Sequence, residues 1–122
     1  MTDTNILILG AGGQLGRVLC TAPATAPAPA DTRLIGRTRD QADITDTGSV
    51  EAAIGEVAAD LIINAAAYTA VDQAESDADA AFAVNRDGAA IVAECCAKAG
   101  CPLIHLSTDY VLNGENAGPN RE

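Results

Sequence analysis

Three glycines, Gly10, Gly13 and Gly16, close an apolar run that begins at Asn5 and stand just before a helix-forming stretch, in the order NILILGAGGQLG. Spaced GxxGxxG between a strand and a helix, they describe a phosphate-binding turn. One glycine permits φ > 0, a second lets backbone N–H groups approach a pyrophosphate, and a third lets the helix pack closely on its strand. The helix start adds unpaired N–H groups and the positive end of its dipole. Glycine also gathers in turns for steric reasons alone, so the reading rests on the strand–turn–helix context rather than on the triplet itself.

A dinucleotide site also needs a group that reads the adenosine ribose, and an acidic residue at the end of the second strand would hold the 2′-hydroxyl of NAD. This chain instead has Gly36-Arg37-Thr38-Arg39. Guanidinium groups there favour a 2′-phosphate, hence NADPH with NADH as the alternative, although two arginines are equally a solvated pair. Asp43 can accept a hydrogen bond from the adenine amino group with Ile44 packing beside the base, or can serve only as a helix cap. Asn64-Ala65-Ala66-Ala67 is small enough for a cofactor's ribose and nicotinamide side to lie against the backbone, and small enough simply for close packing. Ser107-Thr108-Asp109-Tyr110 brings two hydroxyls, a carboxylate and a phenol to one strand end. A hydroxyl there can donate to a substrate carbonyl and stabilise the alkoxide that develops as hydride arrives.

Short apolar strands alternate with amphipathic stretches along the whole chain, which predicts an α/β fold with a doubly wound parallel sheet. The strands are expected at Asn5–Leu9, Arg33–Gly36, a very short third ending near Asp43–Ile44, Asp60–Asn64 and Pro102–Leu106. Helices are expected from Gln14 until Pro23 stops the first, after an Asp46 or Thr47 cap with Glu51 in the first turn, and from Asp79 to Ala99 with Gly100 as terminator. Val50, Ile54 and Val57 face the sheet from the second helix; Val84, Gly88, Ile91 and Cys95 form a stripe on the third. Right-handed crossovers give the Rossmann-like order 3-2-1-4-5, with ligand bound beyond the carboxyl ends of the strands. The Pro/Ala-rich TAPATAPAPADT segment reads as a surface connection without chemistry.

The formal charge of −10 argues against nucleic acid or an anionic membrane as partner, since both require clustered lysine and arginine. The few positive charges gather in part at Arg33, Arg37 and Arg39. No leader or membrane span is read from the N-terminus or from any apolar run, which points to a cytoplasmic chain. Cys20, Cys95, Cys96 and Cys101 lack CxxC pairing and read as small apolar residues of a reducing compartment. His105 reads as a strand residue near the core rather than a catalytic one. The acidic stretch VDQAESDADA reads as a helix start with a solvated face, and no metal site is expected there because it has no histidine or cysteine partners.

The glycine turn, the Asp43–Ile44 pair, NAAAYTAVDQAE from Asn64 to Glu75 and HLSTDYVLNG from His105 to Gly114 together closely resemble the extended short-chain dehydrogenase/reductases, and within them the reductases of dTDP-linked sugars. The resemblance implies NADPH-dependent reduction of the 4-keto group of dTDP-4-dehydro-6-deoxy-L-mannose to dTDP-L-rhamnose, a precursor of cell-surface polysaccharide. It implies that Gly13, Gln14 and Leu15 hold the pyrophosphate beside Gly10 and Gly16, that Arg37 lies near the adenosine ribose, and that Asp43 and Ile44 contact the adenine. Ala66, Ala67, Tyr68 and Thr69 would line the cofactor, Thr108 would be the catalytic Ser/Thr, and Asp109 and Tyr110 would join Thr108 in touching the dTDP-sugar. The family's YxxxK motif is absent from these residues: Tyr68 is followed four positions on by Asp72, and Tyr110 by Gly114. Leu112 also replaces an aromatic residue common after STDYV. The expectation is therefore the N-terminal, cofactor-binding part of such a reductase, inactive alone, with an open sheet edge that favours association, a homodimer being the simplest form. A non-catalytic Rossmann nucleotide sensor or regulatory subunit is the rival reading; the STDY cluster weighs against it.

Overall fold

Leu7, Ile8 and Leu9 are fully buried, as an apolar run must be when a parallel strand is covered on both faces. They belong to β1 (Thr4–Leu9), the first element of a computed structural model that describes residues 3–21, 31–67 and 76–107. Around β1 lie β2 (Thr32–Arg37), β3 (Leu61–Asn64) and β4 (Leu103–His105), in the order β2-β1-β3-β4 and parallel throughout. The register sets Leu9 beside Arg37 on one side and Asn64 on the other, and Asn64 beside His105. All four carboxyl ends therefore finish at one edge.

This is the expected doubly wound arrangement with one strand missing. The short third strand near Asp43–Ile44 does not form, because the backbone there is engaged locally. Gln41 and Ala42 N–H both donate to the Thr38 carbonyl, at 3.0 and 2.8 Å, and Asp43 N–H donates to Ser49 Oγ at 2.9 Å. A chain folded back on itself in this way offers no row of donors to the β2 edge.

The helices are α1 (Gln14–Thr21), α2 (Thr47–Val57), α3 (Ala78–Phe82) and α4 (Ala89–Ala99). Asp46 caps α2, its Oδ1 accepting from Gly48 N–H at 3.0 Å and Ser49 N–H at 3.4 Å. Val50, Ala53 and Val57 are buried and Ile54 is partly so, which puts the predicted stripe on the sheet. Glu51 falls beyond the first turn of α2, where it pairs with Lys98 of α4 at 3.1 Å instead of complementing the helix dipole. The expected single helix from Asp79 is interrupted by a π-helical turn, Ala83–Gly88, between α3 and α4. Gly88, Val92, Cys95 and Cys96 are its buried face, and Gly100 ends α4 with φ +66°. Two cysteines are thus core residues, while Cys20 and Cys101 are half-buried and all four are free thiols.

Candidate functional site

The turn after β1 is wedged between two strand ends. Ala11 N–H donates to the Arg37 carbonyl at the end of β2, at 3.0 Å, and Ala65 N–H, just past β3, donates to the Leu9 carbonyl at 3.0 Å. Gly10 takes φ +78°, and a Cβ there would stand 2.5 Å from the Ala66 nitrogen. Only glycine fits, on grounds of conformation and of space. A Cβ at Gly16 would overlap the Gly10 carbonyl oxygen, so the third glycine lets α1 begin directly on the turn. Gly13 N–H closes the turn onto the Gly10 carbonyl at 3.1 Å, and Gly12, Gly13, Gln14 and Leu15 are exposed. Among the described residues, the amides of Gly12, Gln14 and Leu15 have no backbone acceptor. These N–H groups at the positive end of a helix make an anion site.

Next to this turn, β2 ends in Arg37, whose Nη1 donates to the Gly36 carbonyl at 3.1 Å, leaving the rest of its guanidinium fork for other acceptors. The loop that follows is held by its own side chains. Gln41 Oε1 accepts from Thr38 N–H at 3.0 Å, and Asp43 Oδ1 accepts from Thr45 N–H at 2.9 Å and Thr45 Oγ at 2.7 Å. The hydrogen bonds from Thr45, reinforced by the nearby charge of Arg39, hold the Asp43 carboxyl below its ordinary range, so it is an anionic acceptor. Ile44 is 5% exposed and its side chain belongs to the core. Arg33 does not join Arg37 and Arg39: it sits near the amino end of β2, paired with Asp3 at 2.6 Å.

Across the turn, Asn64 is the buried polar side chain at the end of β3, 1% exposed. Its Oδ1 accepts from Ala66 N–H at 3.1 Å, and its Nδ2 lies 3.3 Å from His105 Nδ1. Because the Ala66 amide can only donate, Oδ1 must face it, which turns Nδ2 toward His105. His105 is itself exposed rather than packed near the core, so its place in the fold is as a partner for Asn64. Ala66 is half-buried against Gly10, and Ala67 is exposed beyond it.

Gly10, Gly13, Gln14, Leu15, Gly16, Arg37 and Ala66 are thereby brought to one edge, with the loop of Asp43 and Ile44 continuing from β2. Tyr68, Thr69, Thr108, Asp109 and Tyr110 lie outside the described residues, as does the first half of the acidic stretch, residues 71–75. Two contributions were not read from the sequence: the amide of Asn64 as the link from β3 to β4, and Gly88 as the surface on which Ile44 rests. A glycine inside an alanine-rich helix was the available sign of the second.

A glycine turn at the carboxyl edge of a doubly wound parallel sheet defines a Rossmann-type nucleotide-binding α/β domain. The family model described as RmlD substrate binding domain matches residues 4–122, and the chain belongs to that family. It is 46% identical over 114 residues to a dTDP-4-dehydrorhamnose reductase of Mycobacterium tuberculosis, covering 93% of this chain and 35% of that protein. It is 39% identical over 119 residues to the spore coat polysaccharide biosynthesis protein SpsK of Bacillus subtilis, covering 98% of this chain and 41% of the relative. Among solved structures, a dTDP-4-dehydrorhamnose reductase of Bacillus anthracis in complex with NADP superposes with TM-score 0.83 at 34% identity, over 96% of this chain and 40% of that one. The chain thus spans well under half the length of these relatives. Among the described residues, no helix is long and apolar enough to cross a membrane.

Proposed function

We propose that this chain supplies the NADP(H)-binding half of a cytoplasmic reductase that converts dTDP-4-dehydro-6-deoxy-L-mannose to dTDP-L-rhamnose. The observation that carries the reading is the glycine turn clamped between the ends of β2 and β3, with exposed amides at the start of α1. The turn suits a pyrophosphate because backbone already fills the space a Cβ would occupy at Gly10, Gly13 closes the turn onto the Gly10 carbonyl, and the amides of Gly12, Gln14 and Leu15 beside it have no backbone acceptor among the described residues.

Arg37 binds the adenosine ribose side, and its guanidinium fork favours the 2′-phosphate of NADPH over the bare hydroxyl of NADH. Asp43 accepts from the adenine amino group through the oxygen that Thr45 leaves free, with the core-buried Ile44 next to it in the chain and in the same adenine-binding loop. Ala66, Ala67, Tyr68 and Thr69 line the path toward the nicotinamide. When bound, NADPH supplies hydride to the sugar's 4-keto carbon. Thr108 donates a hydrogen bond to the carbonyl oxygen and stabilises its developing charge, while Asp109 and Tyr110 orient the sugar.

The test is equilibrium binding of NADPH and NADH by calorimetry. Saturable binding that prefers NADPH, with Arg37→Ala weakening NADPH by about 10-fold and NADH far less, is the expected result. Equal affinity for the two cofactors, or an Arg37→Ala variant that loses both alike, refutes the 2′-phosphate assignment. Absence of binding to either refutes the nucleotide reading.

A further inference from the structure

Gly88 closes the π-helical turn between α3 and α4, and it is buried. A Cβ built on it would lie 2.7 Å from Ile44 Cδ1, 2.8 Å from Ile44 Cγ1 and 3.2 Å from the Ala83 carbonyl oxygen. The first two are closer than real carbon contacts come, so any larger residue at position 88 forces the outer part of the Ile44 side chain to shift. Helix propensity argues for alanine at such a position, and alanines follow directly at Ala89 and Ala90. At Gly88 the space a Cβ would take is filled by the Ile44 side chain.

The consequence falls on the loop between β2 and α2. Its hydrogen bonds are short-range ones: Thr38 with Gln41, Asp43 with Thr45 and Ser49, and Asp46 with the first turn of α2. They define the shape of the loop and tie it to the start of α2, while its buried apolar side chains, Ala42 and Ile44, seat it against the remainder of the domain. Ile44 is the larger, and it rests on the π turn.

We propose that Gly88 is a positioning residue for adenine recognition: by omitting a side chain under Ile44, it sets the depth of that residue and, one position earlier in the chain, of the Asp43 carboxylate. The inference rests on the nucleotide reading above and goes beyond it by assigning a role to a residue that touches no part of the cofactor. A π turn widens the helix locally, and such turns recur beside functional sites. Here the widened turn supplies a seat.

The test compares the unsubstituted chain, Gly88→Ala, and Gly88→Ala combined with Ile44→Ala, using NADPH and 2′,5′-ADP as probes in calorimetry, with urea unfolding run alongside. Gly88→Ala is expected to weaken both ligands by about 10-fold, as one displaced hydrogen bond to a charged group would. Removing both overlapping atoms, Ile44 Cγ1 and Cδ1, in the double variant is expected to restore most of the affinity. A structural role alone would move the unfolding midpoint and leave the affinity of the folded fraction unchanged, and that result overturns the inference. Loss of binding that the double variant does not restore overturns it as well. Failure of the unsubstituted chain to bind either probe would remove the nucleotide reading itself and the inference with it, an outcome distinct from binding that is indifferent to position 88.

Discussion

β1 and β4 run in parallel toward the same edge, yet they are held very differently. β1 has strands on both sides and three successive residues, Leu7 to Leu9, with no exposure. Among the described residues β4 pairs with β3 alone, and Ile104 and Leu106 are 47% and 39% exposed. The glycine turn is therefore built on the packed centre of the sheet. The end carried by β4, which leads into Ser107, rests on one neighbouring strand, on α4 through the half-buried Leu103, and on the Asn64–His105 side-chain link.

The sharpest way to break this contrast is to truncate matched side chains. Leu7→Ala is expected to destabilise the domain by about 2–5 kcal/mol through lost burial and an unfilled cavity, read as a fall in the urea midpoint. Gly10→Ala should follow at about 2–3 kcal/mol, since it combines a left-handed conformation with overlap on Ala66, and it should also abolish NADPH binding in calorimetry. Asn64→Ala leaves the Ala66 amide without its acceptor and should cost about 1–3 kcal/mol; native-state hydrogen exchange should show the Ala66 amide opening faster.

Alkaline pH probes the centre without mutation. Burial, with lesser contributions from Cys101 and Cys95, pushes the Cys96 thiol from 9.0 up to about 11. The folded chain keeps a proton that the unfolded chain releases. This contribution to stability is whole below pH about 9 and is lost as pH rises toward about 11. Urea midpoints should fall over that window, and Cys96→Ser should flatten the fall. The smallest effect belongs to β4: Ile104→Ser should lie within about 0.5 kcal/mol of the parent, and a value above about 2 would show that β4 is as firmly packed as β1.

Much of this was legible in the residues themselves. The strand–glycine–helix unit, the Asp46 cap and the Gly100 terminator all appear where they were read, because each depends on the φ/ψ preferences and side chains of a few consecutive residues. The third strand was misread for a related reason. Two apolar or small residues beside an aspartate suit a strand end equally well, and the side chains of Asp43, Thr45 and Ser49 captured the backbone first. The arginine cluster divided because alternate ends of one strand lie far apart: Arg33 went to Asp3, and Arg37 went to the crevice.

The sequence by itself determined the alternation of elements, the class of sheet and the glycine turn, since hydrophobic period and glycine spacing act over one or two turns of chain. Only the tertiary structure decided which distant residues meet. Gly10 touching Ala66, Asn64 reaching His105 and Ile44 seated on Gly88 are pairs made by strand register and helix placement. No local preference of either partner encodes such a contact, because its energy exists only once the sheet has brought both sides together.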